Sequence, residues 1–186
     1  MPLDAPTLDR FRKGNTFVET GAGPTLAIRA ALGLGFERIV SIEIDDVIFE
    51  RCRVRYQHEP RVEIVHGDCR DKLPEVLATV QEPCTIFLDA HGKSGDTSEN
   101  LANKPLLDEL AAIAAHPIKT HTILIDDWDM IASPKWCPHL TEESVRDALR
   151  AINPDYQLSR VDGLIHERKN PYWLVMVAQA TKGRVG

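Results

Sequence analysis

Thr16-Phe-Val-Glu-Thr-Gly-Ala-Gly-Pro-Thr25, followed by Leu26-Ala-Ile-Arg-Ala-Ala-Leu-Gly-Leu-Gly35, is the stretch that decides the fold. Thr16 to Val18 is a short β-prone run that ends in the carboxylate of Glu19. A tight turn with Gly21 and Gly23 follows, and then Leu26, Ala27, Ala30, Ala31 and Leu34 share one helical face. Glycine is needed where a strand turns sharply into a helix, because a side chain would hinder positive φ and block a ligand lying on the backbone. The new helix then offers free N–H groups to that ligand. A glycine-containing βα turn without a cofactor is the plainer alternative.

Two cofactor classes use such a turn. Dinucleotide enzymes want G-x-G-x-x-G. Here Leu26 stands at the third glycine position, and Glu19 places a carboxylate where a pyrophosphate would be repelled. A ligand with an amine and a sulfonium would instead welcome that charge. Glu19-Thr-Gly-Ala-Gly resembles motif I of the class I S-adenosylmethionine (SAM) methyltransferases, whose acidic-x-Gly-x-Gly turn cradles the amino-acid part of SAM. The resemblance implicates Glu19, Thr20, Gly21 and Gly23 in cofactor binding. Thr25 departs from the family's usual third glycine.

A chain of 186 residues with 43% hydrophobic content suffices for one well-buried core, and we expect one domain over 1–186, with 1–15 a short lead-in. The net charge of −6 argues against a nucleic-acid face. The basic run Arg51-Cys-Arg-Val-Arg55 is flanked by Glu50 and Glu59 and reads as a solvated helix face. Cys52, Cys69, Cys84 and Cys137 have no C-x-x-C spacing and read as reduced packing thiols. With no N-terminal apolar run or membrane-length segment, the expected location is cytoplasmic.

From Thr16 onward strands and helices alternate. Arg38–Glu43, Arg61–His66, Cys84–Asp89 and Thr122–Ile125 read as strands two to five. Asp45 or Asp46 can cap a helix carrying Ile48, Cys52 and Tyr56, and Asp71 one carrying Leu73, Val76, Leu77 and Val80, with Pro74 in its first turn. Leu106, Leu107, Leu110, Ile113 and Ala114 mark an amphipathic helix, and Thr141 opens another through Ile152. Tyr156–Val161 and Trp173–Ala178 are closing strands around a long hairpin-like connection. Five βα units and two further strands make an α/β, Rossmann-like, doubly wound sheet of seven mostly parallel strands with an antiparallel C-terminal edge hairpin. Insertion of the seventh strand between the fifth and sixth is what the methyltransferase resemblance implies.

Ligands of open α/β sheets bind beyond the carboxyl ends of the strands. Here those ends carry Glu19, Glu43, Asp68 of Gly67-Asp68-Cys69, Asp89 and Asp126-Asp127. Helix capping explains isolated acids there, but acids at all five strand ends repel one another unless a cation or donor-rich ligand sits among them. Glu43, 22 residues beyond Gly21, stands about where an acid meets ribose hydroxyls. By resemblance Ser41-Ile-Glu-Ile-Asp holds the ribose, and Val65-His-Gly-Asp-Cys69 places Asp68 and Cys69 at the adenine; a turn capped by Asp68 is the alternative.

Phe87-Leu-Asp-Ala-His91 and Leu124-Ile-Asp-Asp-Trp128 are similar to the metal-dependent O-methyltransferases, including catechol and antibiotic-sugar O-methyltransferases. The resemblance makes Asp89, Asp126 and Asp127 ligands of Mg²⁺, with oxygen chemistry that suits that ion. It makes His91 the catalytic base beside Asp89. Alternatively Asp89 contacts SAM directly, Asp126-Asp127 caps a loop, and His91 is simply exposed. The expected function is SAM-dependent O-methylation of a small-molecule or saccharide hydroxyl, without nucleic-acid or membrane partners. The short candidate walls, Gly92–Asn103 and Met130–Leu140, leave a shallow site or one completed by a second subunit in a homo-oligomer. The rival reading is a non-catalytic SAM- or nucleoside-binding domain serving a partner.

Overall fold

The computed structural model describes residues 3–90, 104–131, 137, 139–162 and 174–180. In chain order the elements are α1 (Ala5–Phe11), β1 (Thr16–Thr20), α2 (Leu26–Gly33), β2 (Arg38–Glu43), α3 (Asp46–Tyr56), β3 (Val62–His66), α4 (Cys69–Leu77) and β4 (Thr85–Leu88). There follow α5 (Leu106–Ala115), β5 (Thr122–Ile125), α6 (Trp128–Ile131), α7 (Glu142–Ile152), β6 (Tyr156–Asp162) and β7 (Leu174–Ala180). The seven strands form one sheet in the order β3-β2-β1-β4-β5-β7-β6, parallel except that β7 runs antiparallel to β5 and β6. Among the described residues no helix is long and apolar enough to cross a membrane.

The pleat divides the strands' side chains between two cores. Val18, Ile42, Ile86, Leu88, Ile123, Ile125 and Met176 face α4, α5 and α7 through Leu73, Leu110 and Leu149. Their neighbours Phe17, Ile39, Phe87, Leu124 and Val177 face α1 and α2 through Leu8, Phe11, Ile28 and Ala31. Because side chains alternate with period two, near-continuous apolar runs are what a strand covered on both sides requires. The lead-in is part of this cover: Asp4 caps α1 by accepting from Thr7 N–H at 2.7 Å, and Leu8 and Phe11 are buried.

Two local expectations change. Asp68, not Asp71, caps α4, accepting from Arg70 N–H at 2.9 Å, so the helix begins earlier and Pro74 falls inside it. A proline there removes one helical hydrogen bond, which Leu73, Val76 and Leu77 offset by burial. Asp45 does cap α3, its Oδ1 taking Val47 N–H at 3.0 Å and Ile48 N–H at 2.9 Å.

Thr25, where the family pattern has glycine, holds a glycine's conformation, with φ +64° at the N-cap of α2. Its buried hydroxyl has no hydrogen-bond partner. Left-handed backbone costs an L-residue roughly 1–2 kcal/mol, against roughly 0.5–1 kcal/mol for glycine's extra chain entropy. Thr25→Gly should therefore stabilise the fold by up to about 1 kcal/mol and raise Tm by about 2–4 °C. A lower melting temperature would show that the Thr25 methyl packs better than this argument allows.

Candidate functional site

The two turn glycines serve different needs. Gly21 (φ +86°) donates its N–H to Ile42 O at 2.8 Å, and a Cβ built on it would stand 2.8 Å from the Asp89 carbonyl oxygen. The backbone of Asp89 just past β4, not a cofactor, excludes a side chain there. Gly23 (φ +43°) has open space where a Cβ would point, and its N–H donates to Glu43 Oε2 at 3.2 Å. Gly21→Val should thus lose roughly 1–3 kcal/mol to strain alone, with the β1–β4 overlap added. Gly23→Val should fold with the strain cost only and fail to bind ligand. Denaturant midpoints and ligand titration of both variants check this, and equal destabilisation by both would contradict it.

The strand-end acids are mostly buried. Glu19 accepts from Ser41 Oγ at 2.6 Å, and burial, with Glu43 nearby, pushes its carboxyl up to about 8. Glu43 is held by backbone on both oxygens, Gly23 N–H at 3.2 Å and Asp45 N–H at 2.9 Å. Asp68 accepts from Arg70 Nη1 at 2.9 Å as well as capping α4, and Arg70 also reaches Asp108. Thr20 is buried, and its Oγ1 and carbonyl accept from Asp89 N–H. Burial pushes the Cys69 thiol up, so it stays protonated.

Asp89 and Asp126 end adjacent parallel strands. Burial first, and then the charge of Asp126, raises Asp89 well above the carboxylate range; burial and Asp127 raise Asp126 to about 6. Asp127 adopts φ +49°, which Asp tolerates better than most residues, and its carbonyl accepts the N–H of Ile131, the last residue of α6. Like charges held this close favour a cation among them. Nevertheless, among the described residues no group of three His, Cys, Asp or Glu side chains is placed to hold a metal ion. His91 lies outside the described residues.

A cavity of about 150 Å³ lies under the turn, lined by Glu19, Gly21, Ala22, Pro24, Leu26, Ala27, Phe87 and Asp89. Glu19, Gly21 and Asp89 are thus brought together on one space, with Glu43 joined to it through Gly23. Asp68 and Cys69 sit at the next turn, where Gly67 N–H donates to Glu43 O at 3.0 Å.

One acid escaped the sequence reading. Glu109 of α5 is fully buried, near the Thr20 hydroxyl and the Cys69 thiol without a well-formed hydrogen bond to either, and burial pushes it up to about 7. Its spacing, three after Leu106 and four before Ile113, already placed it on the apolar face of that helix. Ile44, directly after Glu43, is 64% exposed, an apolar surface beside the ribose candidate.

No family model matches the sequence, and no curated protein sequence does. Solved structures do match the fold. A putative rRNA methylase from Clostridium thermocellum aligns over 95% of both chains, with TM-score 0.64 and 14% identity. The O-methyltransferase from Bacillus cereus, in complex with SAH, aligns over 94% of this chain and 78% of its own, with TM-score 0.61 and 14% identity. Spermidine synthase from Thermotoga maritima aligns over 89% and 53%, with TM-score 0.57 and 14% identity. The fold is therefore the Rossmann-like methyltransferase fold. The chain spans about half the length of that synthase and of the CurJ carbon methyltransferase, 49% of which it covers. At such identity the likeness speaks to fold and not to chemistry.

Proposed function

We propose that the chain is a SAM-dependent methyltransferase that methylates a hydroxyl of a small molecule or saccharide. The observation that carries the SAM reading is Glu19, a buried carboxylate on the wall of the cavity beneath the glycine turn. A pyrophosphate there would be repelled by the ionised carboxyl and gain no charge pairing from the neutral one, whereas an α-amine and a sulfonium favour its ionisation. The SAH-bound neighbour is consistent with this reading.

In this reading Glu19 and the turn take the amino-acid end of SAM, Glu43 the ribose, and Asp68 and Cys69 the base. Asp89, Asp126 and Asp127 would hold Mg²⁺, which when bound lowers the pKa of a coordinated hydroxyl. His91, two residues past Asp89, takes the acceptor's proton near neutral pH. Alignment of acceptor oxygen and methyl carbon supplies much of the rest.

Calorimetry with SAM, S-adenosylhomocysteine and NAD is the first test: binding of NAD alone would overturn the reading. Within it, Glu43→Ala should weaken SAM by at least about tenfold, since charge-assisted hydrogen bonds contribute roughly 1.5–3 kcal/mol each. Asp45→Ala should cost only cap stability, about 1 kcal/mol. Because Glu43 also anchors the turn, Glu43→Gln, which keeps one acceptor, should fall between. Equal loss of affinity in Glu43→Ala and Asp45→Ala, both folded, would sink the ribose assignment.

A further inference from the structure

The arginines of the α3 basic run, Arg51, Arg53 and Arg55, are all exposed, but they are not equally paired. Arg53 pairs with Glu50 at 2.8 Å, and Glu59 is taken by Arg61 at 2.8 Å. That leaves Arg51 and Arg55, which meet no carboxylate among the described residues. Four residues apart, they lie on one side of α3, where like charges repel. Both line a groove of about 500 Å³ whose other walls are Gly23, Pro24, Thr25, Ile48 and Cys52. It differs in lining from the Glu19 cavity, and only Pro24 borders both.

Three further features favour an anion in this groove. Thr25, a wall residue 2% exposed, carries a hydroxyl without any hydrogen-bond partner. The first N–H groups of α2, which follow Thr25, have no intrahelical acceptors. Glu43, bonded to Gly23 of the groove wall, has both oxygens occupied by backbone N–H groups. The groove therefore has a cationic rim, an orphaned hydroxyl and an apolar floor of Ile48 and Cys52. Its volume lies in the range of small-molecule sites.

We propose that this groove binds the phosphate group of a small phosphorylated molecule, held by Arg51, Arg55 and the Thr25 hydroxyl. Arginine's planar fork suits two-point binding of phosphate. The net charge of −6 makes a small ligand the better match than a polynucleotide. Arg51 Nη2 already donates to Gly23 O at 3.1 Å, and Gly23 N–H binds Glu43. An anion on Arg51 is thereby coupled to the proposed SAM cradle through one residue, and the coupling must be reciprocal.

Titration of the full chain with inorganic pyrophosphate at constant ionic strength, followed by amide and arginine Nε NMR shifts, tests the site without SAM. The expected result is saturable binding with shifts confined to residues 22–28 and 47–55. Arg51→Gln/Arg55→Gln should weaken it at least tenfold with Tm within about 2 °C, and Thr25→Gly should weaken it less. Shifts that do not saturate, that map elsewhere, or that survive the double substitution would overturn the proposal. A parallel titration with short RNA distinguishes the ligand class: tighter, salt-steep RNA binding abolished by the same double substitution would overturn the small-molecule assignment. Failure of SAM to bind would bear on the proposed function and leave these outcomes readable.

Discussion

Asp126→Asn is expected to lower turnover by about 10²–10³ while leaving SAM affinity within a few-fold. The residue directly follows β5, is fully buried, and donates its N–H to Leu88 O at 3.1 Å, so that it stands next to Asp127 and beside the end of β4 that Asp89 follows. Amide for carboxylate keeps the shape and removes one of the three carboxyl groups, Asp89, Asp126 and Asp127, at that rim. If that rim binds a divalent ion, the loss is several kcal/mol of transition-state stabilisation, and each 1.36 kcal/mol is about tenfold in rate. The same substitution should not harm the fold. Asp126 is raised from 3.8 to about 6, so its ionisation subtracts stability as pH climbs through that window, and the asparagine variant should be the more stable at neutral pH. Chelator should abolish activity, with Mg²⁺ or Mn²⁺ restoring it. His91→Ala should depress turnover by roughly 10²–10⁴ and flatten the rise of rate with pH. Full activity in EDTA would remove the metal and leave His91 to act alone.

The sheet was legible because both covered faces force each central strand into a short apolar run, and Arg38–Glu43 and Thr122–Ile125 match the structure residue for residue. The antiparallel insertion of β7 followed from resemblance, since no periodicity encodes strand order. The start of α4 was misplaced because Asp68 and Asp71 are both competent caps, and Asp68 already sat in a site motif. The acids at the strand ends were legible as residues but not as environments. Spacing put Glu43 at the ribose position, yet its double anchorage by Gly23 and Asp45 is a product of the folded turn. Nor could sequence tell why each turn glycine is there: Gly21 answers to Asp89, 68 residues away in the chain, and Gly23 to the space above it. Glu109 was passed over because charge suggested a solvent face at a position whose spacing said core.

SAM binding should release close to one proton per site at pH 7 and should weaken about tenfold per pH unit below about 8. The cause is Glu19. Burial raises its carboxyl to about 8, so the ligand-free protein is mostly protonated there at neutral pH. A cationic amine against that wall favours the carboxylate, so binding must expel the proton. Calorimetry in two buffers of different ionisation enthalpy counts it directly. The sign for stability follows from the same shift. A group whose pKa is raised on folding contributes stability that is intact below its unfolded value of 4.5 and is lost as pH rises through about 8. The ceiling on that loss is on the order of 5 kcal/mol at 1.36 kcal/mol per unit, before any relaxation around Ser41. Glu19→Gln, which can keep the Ser41 hydrogen bond, should therefore melt higher than the native chain at pH 8.5 and equally at pH 4.5. It should also bind SAM weakly at every pH, with no proton released. A native protein whose SAM affinity is flat from pH 6 to 8 would mean that Glu19 is a buried structural acid and that the amine is held elsewhere.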